Sequence, residues 1–139
     1  MSRGDSVRRG APGFRIEPQR AVVALLYMGG VISLSALPGR IVSRWGFSSH
    51  QLDLLHIPLF AGLAMVTLWA IVAPRVPRAL CVLLAVTLFG AGDEILQLWV
   101  PGRVASFADF ARDGLGAMIG VAFTEMMRPV SVALREWGR

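Results

Sequence analysis

Four apolar runs, each closed by a proline, dictate what this chain can become. They cover about residues 21–37, 52–73, 78–99 and 107–127, and are stopped by Pro38-Gly39, Pro74, Pro101-Gly102 and Pro129. Each approaches the roughly 20 residues that a helix needs to cross about 30 Å of hydrocarbon. The first is short and contains Gly29 and Gly30, so it spans with little tilt or in a thinned region. Hydrophobic residues make up 55% of the chain, above the roughly 45–50% of soluble domains. The expected fold is all-α: a polytopic membrane protein with four transmembrane helices in a bundle. The expected organisation is a polar, Arg-rich tail over residues 1–20, a membrane domain over 21–128 and a short C-terminal tail over 129–139.

The charge pattern sets an orientation. All fourteen basic residues are Arg. One side, formed by both termini and the second loop, holds Arg3, Arg8, Arg9, Arg15, Arg20, Arg75, Arg78, Arg128, Arg135 and Arg139, which is ten. The other holds Arg40, Arg44, Arg103 and Arg112, which is four. Positive residues stay inside, so both termini are expected in the cytoplasm. The arginines sit at segment ends rather than on one face with aromatics, so nucleic acid is excluded as a partner. Cys81 lies in an apolar run without a CxxC or Cys/His spacing, and reads as a small apolar side chain. The first apolar run follows a polar stretch with five arginines, so it is expected to be retained as a span rather than cleaved as a signal peptide. The final SVALREWGR has the makings of a short interfacial helix.

Against this background residues 90–120, GAGDEILQLWVPGRVASFADFARDGLGAMIG, stand out. An ionised side chain in hydrocarbon costs about 2.5–3.5 kcal/mol on insertion scales, so a chain that carries several must pair, hydrate or use them. Asp93, Glu94 and Gln97 lie near the outer end of the third run, with Glu94 and Gln97 on one helix face. Arg103 follows in the loop. Asp109 and Asp113 open the fourth run at i, i+4, and Asp53 and His56 open the second at i, i+3. The topology, assigned from arginines alone, brings all of them to the outer membrane boundary. Glu94 lies about five residues before Trp99, an expected interfacial anchor, and so roughly 7–8 Å inside the span. It is the most desolvated acid of the group.

Glu94 and His56 are accordingly the candidate catalytic pair for general acid/base work. Arg103, Asp53, Gln97, Asp109, Asp113 and Asp93 are candidates for ligand binding or positioning, with Arg103 suited to grip a phosphate or carboxylate. The competing reading is that these groups pair across helices and only fix the packing. No tight metal-ligand motif is present, so no metal ligands are assigned, and no cofactor is identified. Met65, Trp69, Met118, Met126 and Met127 read as lipid contacts or packing. Gly116 and Gly120 form one GxxxG pair, read as packing within the chain.

These residues resemble the VanZ-like family of small multi-span bacterial membrane proteins. The likeness is carried by DLLHIPLF with Asp53 and His56, by Glu94, Gln97, Pro101 and Arg103, by Asp109, by the small-residue run DGLGAMIG, and by SLSALPG at the end of the first run. It covers most of residues 21–127. Two features depart from the family pattern: Asp113 stands where Asn is common, and the neighbours of Asp53 are Gln51 and Leu52, where the family usually has a Lys nearby. The resemblance implies a multi-pass protein of the bacterial cytoplasmic membrane, associated through the founding member with glycopeptide (teicoplanin) resistance and the cell envelope. It implies no particular reaction.

Two functions follow. One is binding or modifying a lipid or lipid-linked envelope precursor at the outer face, with membrane lipids as partners. The other is a non-catalytic accessory subunit of a respiratory or photosynthetic inner-membrane complex, held by other membrane subunits through the N-terminal tail and helix faces. A transporter is disfavoured by the lack of repeats and broken helix pairs.

Overall fold

Pro18 opens the first helix, where its missing N–H costs nothing. The computed structural model describes residues 13–46 and 48–137, with only the backbone at residues 49 and 129–137. The tail arginines Arg3, Arg8 and Arg9 and the terminal Gly138 and Arg139 therefore lie outside the described residues, as do the side chains of the proposed interfacial helix. Five helices carry the fold: α1 (Pro18–Ser35), α2 (Gly39–Val42), α3 (Ser49–Ala70), α4 (Arg75–Gln97) and α5 (Phe107–Trp137). Two short strands, β1 (Arg15–Ile16) and β2 (Ile71–Val72), pair antiparallel. The end of the expected tail is thus tied to the α3–α4 connection.

Local chemistry explains most boundaries. Ser48 caps α3 by accepting from Gln51 N–H, while Gln51 Oε1 accepts from Ser48 N–H in return, a capping box. Helix α3 ends at Ala70 rather than running to Ala73: Ile71 and Val72 are β-branched, and Pro74 disfavours helix at Ala73. Pro77 falls in the first turn of α4, where no helical N–H bond is lost. Ser106 caps α5, its hydroxyl accepting from Asp109 N–H at 3.3 Å.

The first helix ends at Ser35, just ahead of Pro38-Gly39 as expected, and is followed by α2 and a 3-10 turn (Ser43–Trp45) bent by 91° from it. One expectation needs correction: Pro129 does not stop the last helix, which continues to Trp137. A proline at 129 leaves the carbonyl of Glu125 without its helical donor. Arg75 Nη2 donates to that carbonyl at 3.3 Å, so the break in the ladder is repaired from another helix.

The core joins Phe60, Leu63, Leu68, Val82, Val86, Ala117 and Val121, with α3 packed most extensively on α5. Gly116 and Gly120 make that contact close. A Cβ on Gly116 would run into Ile57 O, and one on Gly120 into the Ala61 carbonyl, with Ala61 C at 2.9 Å. Outside, the helices are apolar: Leu80, Leu84, Leu88 and Ile95 form an exposed ridge along α4. Only 22% of the apolar window of α3 and 28% of that of α4 is buried. Such faces call for lipid rather than water. Helices α3 and α4 are long and apolar enough to cross a membrane, and the bent α1–α2 pair makes a third if it is one span.

Candidate ligand site

The polar residues gather at one end of the helices. His56, in the second turn of α3, meets Asp113, in the second turn of α5, with Nδ1 and Oδ1 2.8 Å apart. Asp113 is wholly buried (0% exposed). Gly90 of α4 makes room for it: a Cβ there would lie 2.9 Å from Asp113 Oδ2 and 3.1 Å from Phe60 Cε1. Phe60 in turn stacks near the imidazole, with ring centroids 6.3 Å apart. With the Asp113 carboxylate as acceptor, the proton is assigned to Nδ1, which leaves Nε2 for a ligand.

Helix α4 supplies the next layer. Glu94 Oε2 accepts from the Ser106 N–H at 2.6 Å, and Gln97 Nε2 lies 3.4 Å from both Glu94 Oε1 and Asp93 Oδ2. Asp93 points about 100° away from Glu94 and reaches α1, where Ser35 Oγ donates to it at 2.7 Å. Both acids are buried. Asp109 pairs with Arg112 one turn along α5. The sequence gives no role in this cluster to Ser35 within SLSALPG, to Ser106, or to Arg112 beyond the arginine count. The hydroxyl of Ser35 at the end of an apolar run was the available signal for the first, and the i, i+3 spacing for the last.

Two chambers meet here. The larger, of about 330 Å³, is lined by Asp53, His56, Gln97, Arg103 and Asp109 together with Gly39 and Gly102. Its rim is held by Gly39 N–H donating to Pro101 O at 3.1 Å, and by Gly102 at φ +77°. A Cβ on Gly39 would collide with Gly102 O, so both glycines are required for this approach. The smaller, of about 160 Å³, is mainly apolar, with Val31, Leu34, Leu55 and Phe60 in its wall. His56 and Arg103 line both chambers. Arg103 Nε is buried without a hydrogen-bond partner among the described residues, a costly state for a guanidinium unless a ligand completes it.

All eight candidate residues thus lie at one end, but the contacts differ from the simplest pairing. The partner of His56 is Asp113, while Glu94 is held by Ser106 and Gln97. Ligand atoms of His56, Glu94 and Asp113 nevertheless lie within 4.8 Å of one another. One imidazole and two carboxylates are a donor set that suits a divalent cation with open positions.

The residues and their spacing match the VanZ/LLP1 family over residues 16–128. The chain belongs to the VanZ/LLP1 family. No curated protein and no solved structure matches it. Family membership and the apolar helix faces together make this a membrane protein.

One more buried acid is not among the residues singled out from the sequence. Glu125, near the C-terminal end of the last apolar run, is buried and pairs with Arg75 and Arg78 of α4 at the far end. The cost of an acid in such a run was the signal for it.

Proposed function

We propose that this VanZ/LLP1 protein binds a lipid or lipid-linked envelope precursor with an anionic head group at the outer face of the bacterial cytoplasmic membrane. The observation that carries the reading is the shared wall: His56 and Arg103 stand between a polar chamber and an apolar one. That division suits an amphiphile, head group on one side and chain on the other. Arg103 takes the anionic oxygens. His56, oriented by Asp113, holds or moves a proton at Nε2, and Glu94 stands beside it as a second acid/base group. Asp53, Gln97 and Asp109 shape the polar chamber, and Asp93 braces α4 against α1 through Ser35.

In this reading α5 is the fourth span, and both termini are cytoplasmic as the arginine bias requires. The carboxylates within α5 pair with His56, Arg75 and Arg78 of other helices and with Arg112 on α5 itself, while Leu115, Met118, Ile119 and Phe123 face outward. The grouping of His56, Glu94 and Asp113 favours a second reading, in which a divalent cation occupies this triad and anchors the head group.

Extraction of the protein into polymer nanodiscs directly from its membrane, followed by lipid identification, tests the first reading. It expects an anionic amphiphile enriched over the bulk membrane; a bulk composition sinks it. Elemental analysis of the same sample separates the readings. About one equivalent of Zn²⁺ or Mn²⁺, lost on Glu94→Gln, favours the cation, whereas no metal leaves the His56–Asp113 pair as the acting group.

A further inference from the structure

The end of the helices opposite His56 carries charge of the other sign. Buried Glu125 forms an ion pair with Arg75, Nε lying 2.9 Å from Oε2, and accepts at Oε1 from Arg78 Nη2, with Arg128 Nη1 3.7 Å from Oε2. Arg20 comes in from α1. Its Nη1 donates to Trp69 O at 3.2 Å, and its guanidinium carbon lies 5.1 Å from the Trp69 ring centroid. Arg20, Arg78 and Arg128 all line one cavity of about 350 Å³. Arg15 and Glu17 pair with each other nearby and cancel. Arg20, Arg75 and Arg78 against the single Glu125 leave a net +2, before Arg128 is counted. One carboxylate needs one cation; the surplus attracts an anion.

The rest of the wall identifies the class of anion. Met65, Trp69 and Phe123 make it apolar. The cavity also sits where the candidate span of α3 ends at Ala70 and that of α4 begins at Arg75, which is the level of lipid phosphates. Inorganic phosphate would answer the charge but leave the apolar wall unused. A zwitterionic lipid would carry its own cation into a cationic site. Basic pockets between spans are suited to anionic head groups.

We propose that this cavity binds an anionic phospholipid, its phosphate held by Arg20, Arg78 and Arg128 and its upper acyl chain lying against Met65, Trp69 and Phe123. The proposal uses none of the residues around His56 and stands apart from the function proposed above.

The test is native mass spectrometry of the full chain, released from micelles after incubation with phosphatidylglycerol or phosphatidylcholine. Wild type is expected to retain phosphatidylglycerol about tenfold better, as two or more arginines near a head group imply. The double substitution Arg20→Gln/Arg128→Gln leaves Arg75 and Arg78 on Glu125, and is expected to bring the two lipids within about twofold. Equal retention of both lipids by wild type would overturn the proposal, and this comparison stands whether or not the variant folds. Unchanged preference in a folded double variant would overturn it too. So would displacement of phosphatidylglycerol by millimolar inorganic phosphate, which would assign the site to a free anion.

Discussion

Asp113 has one oxygen on His56 and no access to solvent, so its identity sets the state of the imidazole. The ¹⁵N spectrum of the imidazoles reads this directly, with His50→Gln used to assign the only other histidine. Wild type is expected to show His56 protonated at Nδ1. Asp113→Leu removes the acceptor, and the ring is expected to move toward the Nε2–H form; an unprotonated Nδ1 in wild type would remove the dyad from the account. At the same scale, Gly90→Val adds a branched side chain where even a Cβ meets Asp113 and Phe60. It is expected to cost about 1–3 kcal/mol, read as a lower denaturation midpoint. Which residue types form the site was legible, because acids and a histidine in apolar runs demand an account. Their pairing was not. Asp113 is 57 residues from His56, and Asp93 Oδ2 accepts from a serine 58 residues away. Only packing chooses between such partners.

Helix α5 shows what sequence rules capture of an element. Its cap at Ser106 and its small-residue face follow from local patterns, while its length does not. Pro129 was a sound stop signal, overridden because Arg75 supplies the donor that Glu125 O would otherwise lack. The three glycines at the start of the last run are also unequal. Gly116 and Gly120 lie against α3 backbone, whereas nothing lies within 4 Å of a Cβ on Gly114. Gly120→Val is therefore expected to lower stability by about 1–3 kcal/mol or more. Gly114→Ala should be neutral or gain up to about 1 kcal/mol through helix propensity. Unfolding of the two variants in mixed micelles checks this, and equal effects would mean that the α3–α5 contact is misjudged.

For the whole molecule the apolar runs made the membrane legible, because that signal depends on transfer energies rather than on packing, while the arginine count sets an expected orientation. The right-angled α1–α2 break and the β1–β2 pairing depend on contacts across the chain and left no local mark. Orientation is checked with single cysteines in a Cys81→Ala background. Val104→Cys, exposed beside the site, is expected to react with an impermeant maleimide in intact cells. Ser2→Cys should react only after lysis, and the reverse pattern would put the site in the cytoplasm. The central claim, that Arg103 and His56 hold an anionic amphiphile between two chambers, is tested most directly by comparing the lipids retained by wild type, Arg103→Gln and Arg20→Gln/Arg128→Gln in polymer nanodiscs. One enriched anionic species should fall about tenfold in Arg103→Gln, the loss of one charge-assisted contact, and persist in the double variant. Full retention of every enriched lipid by a folded Arg103→Gln protein would contradict the account.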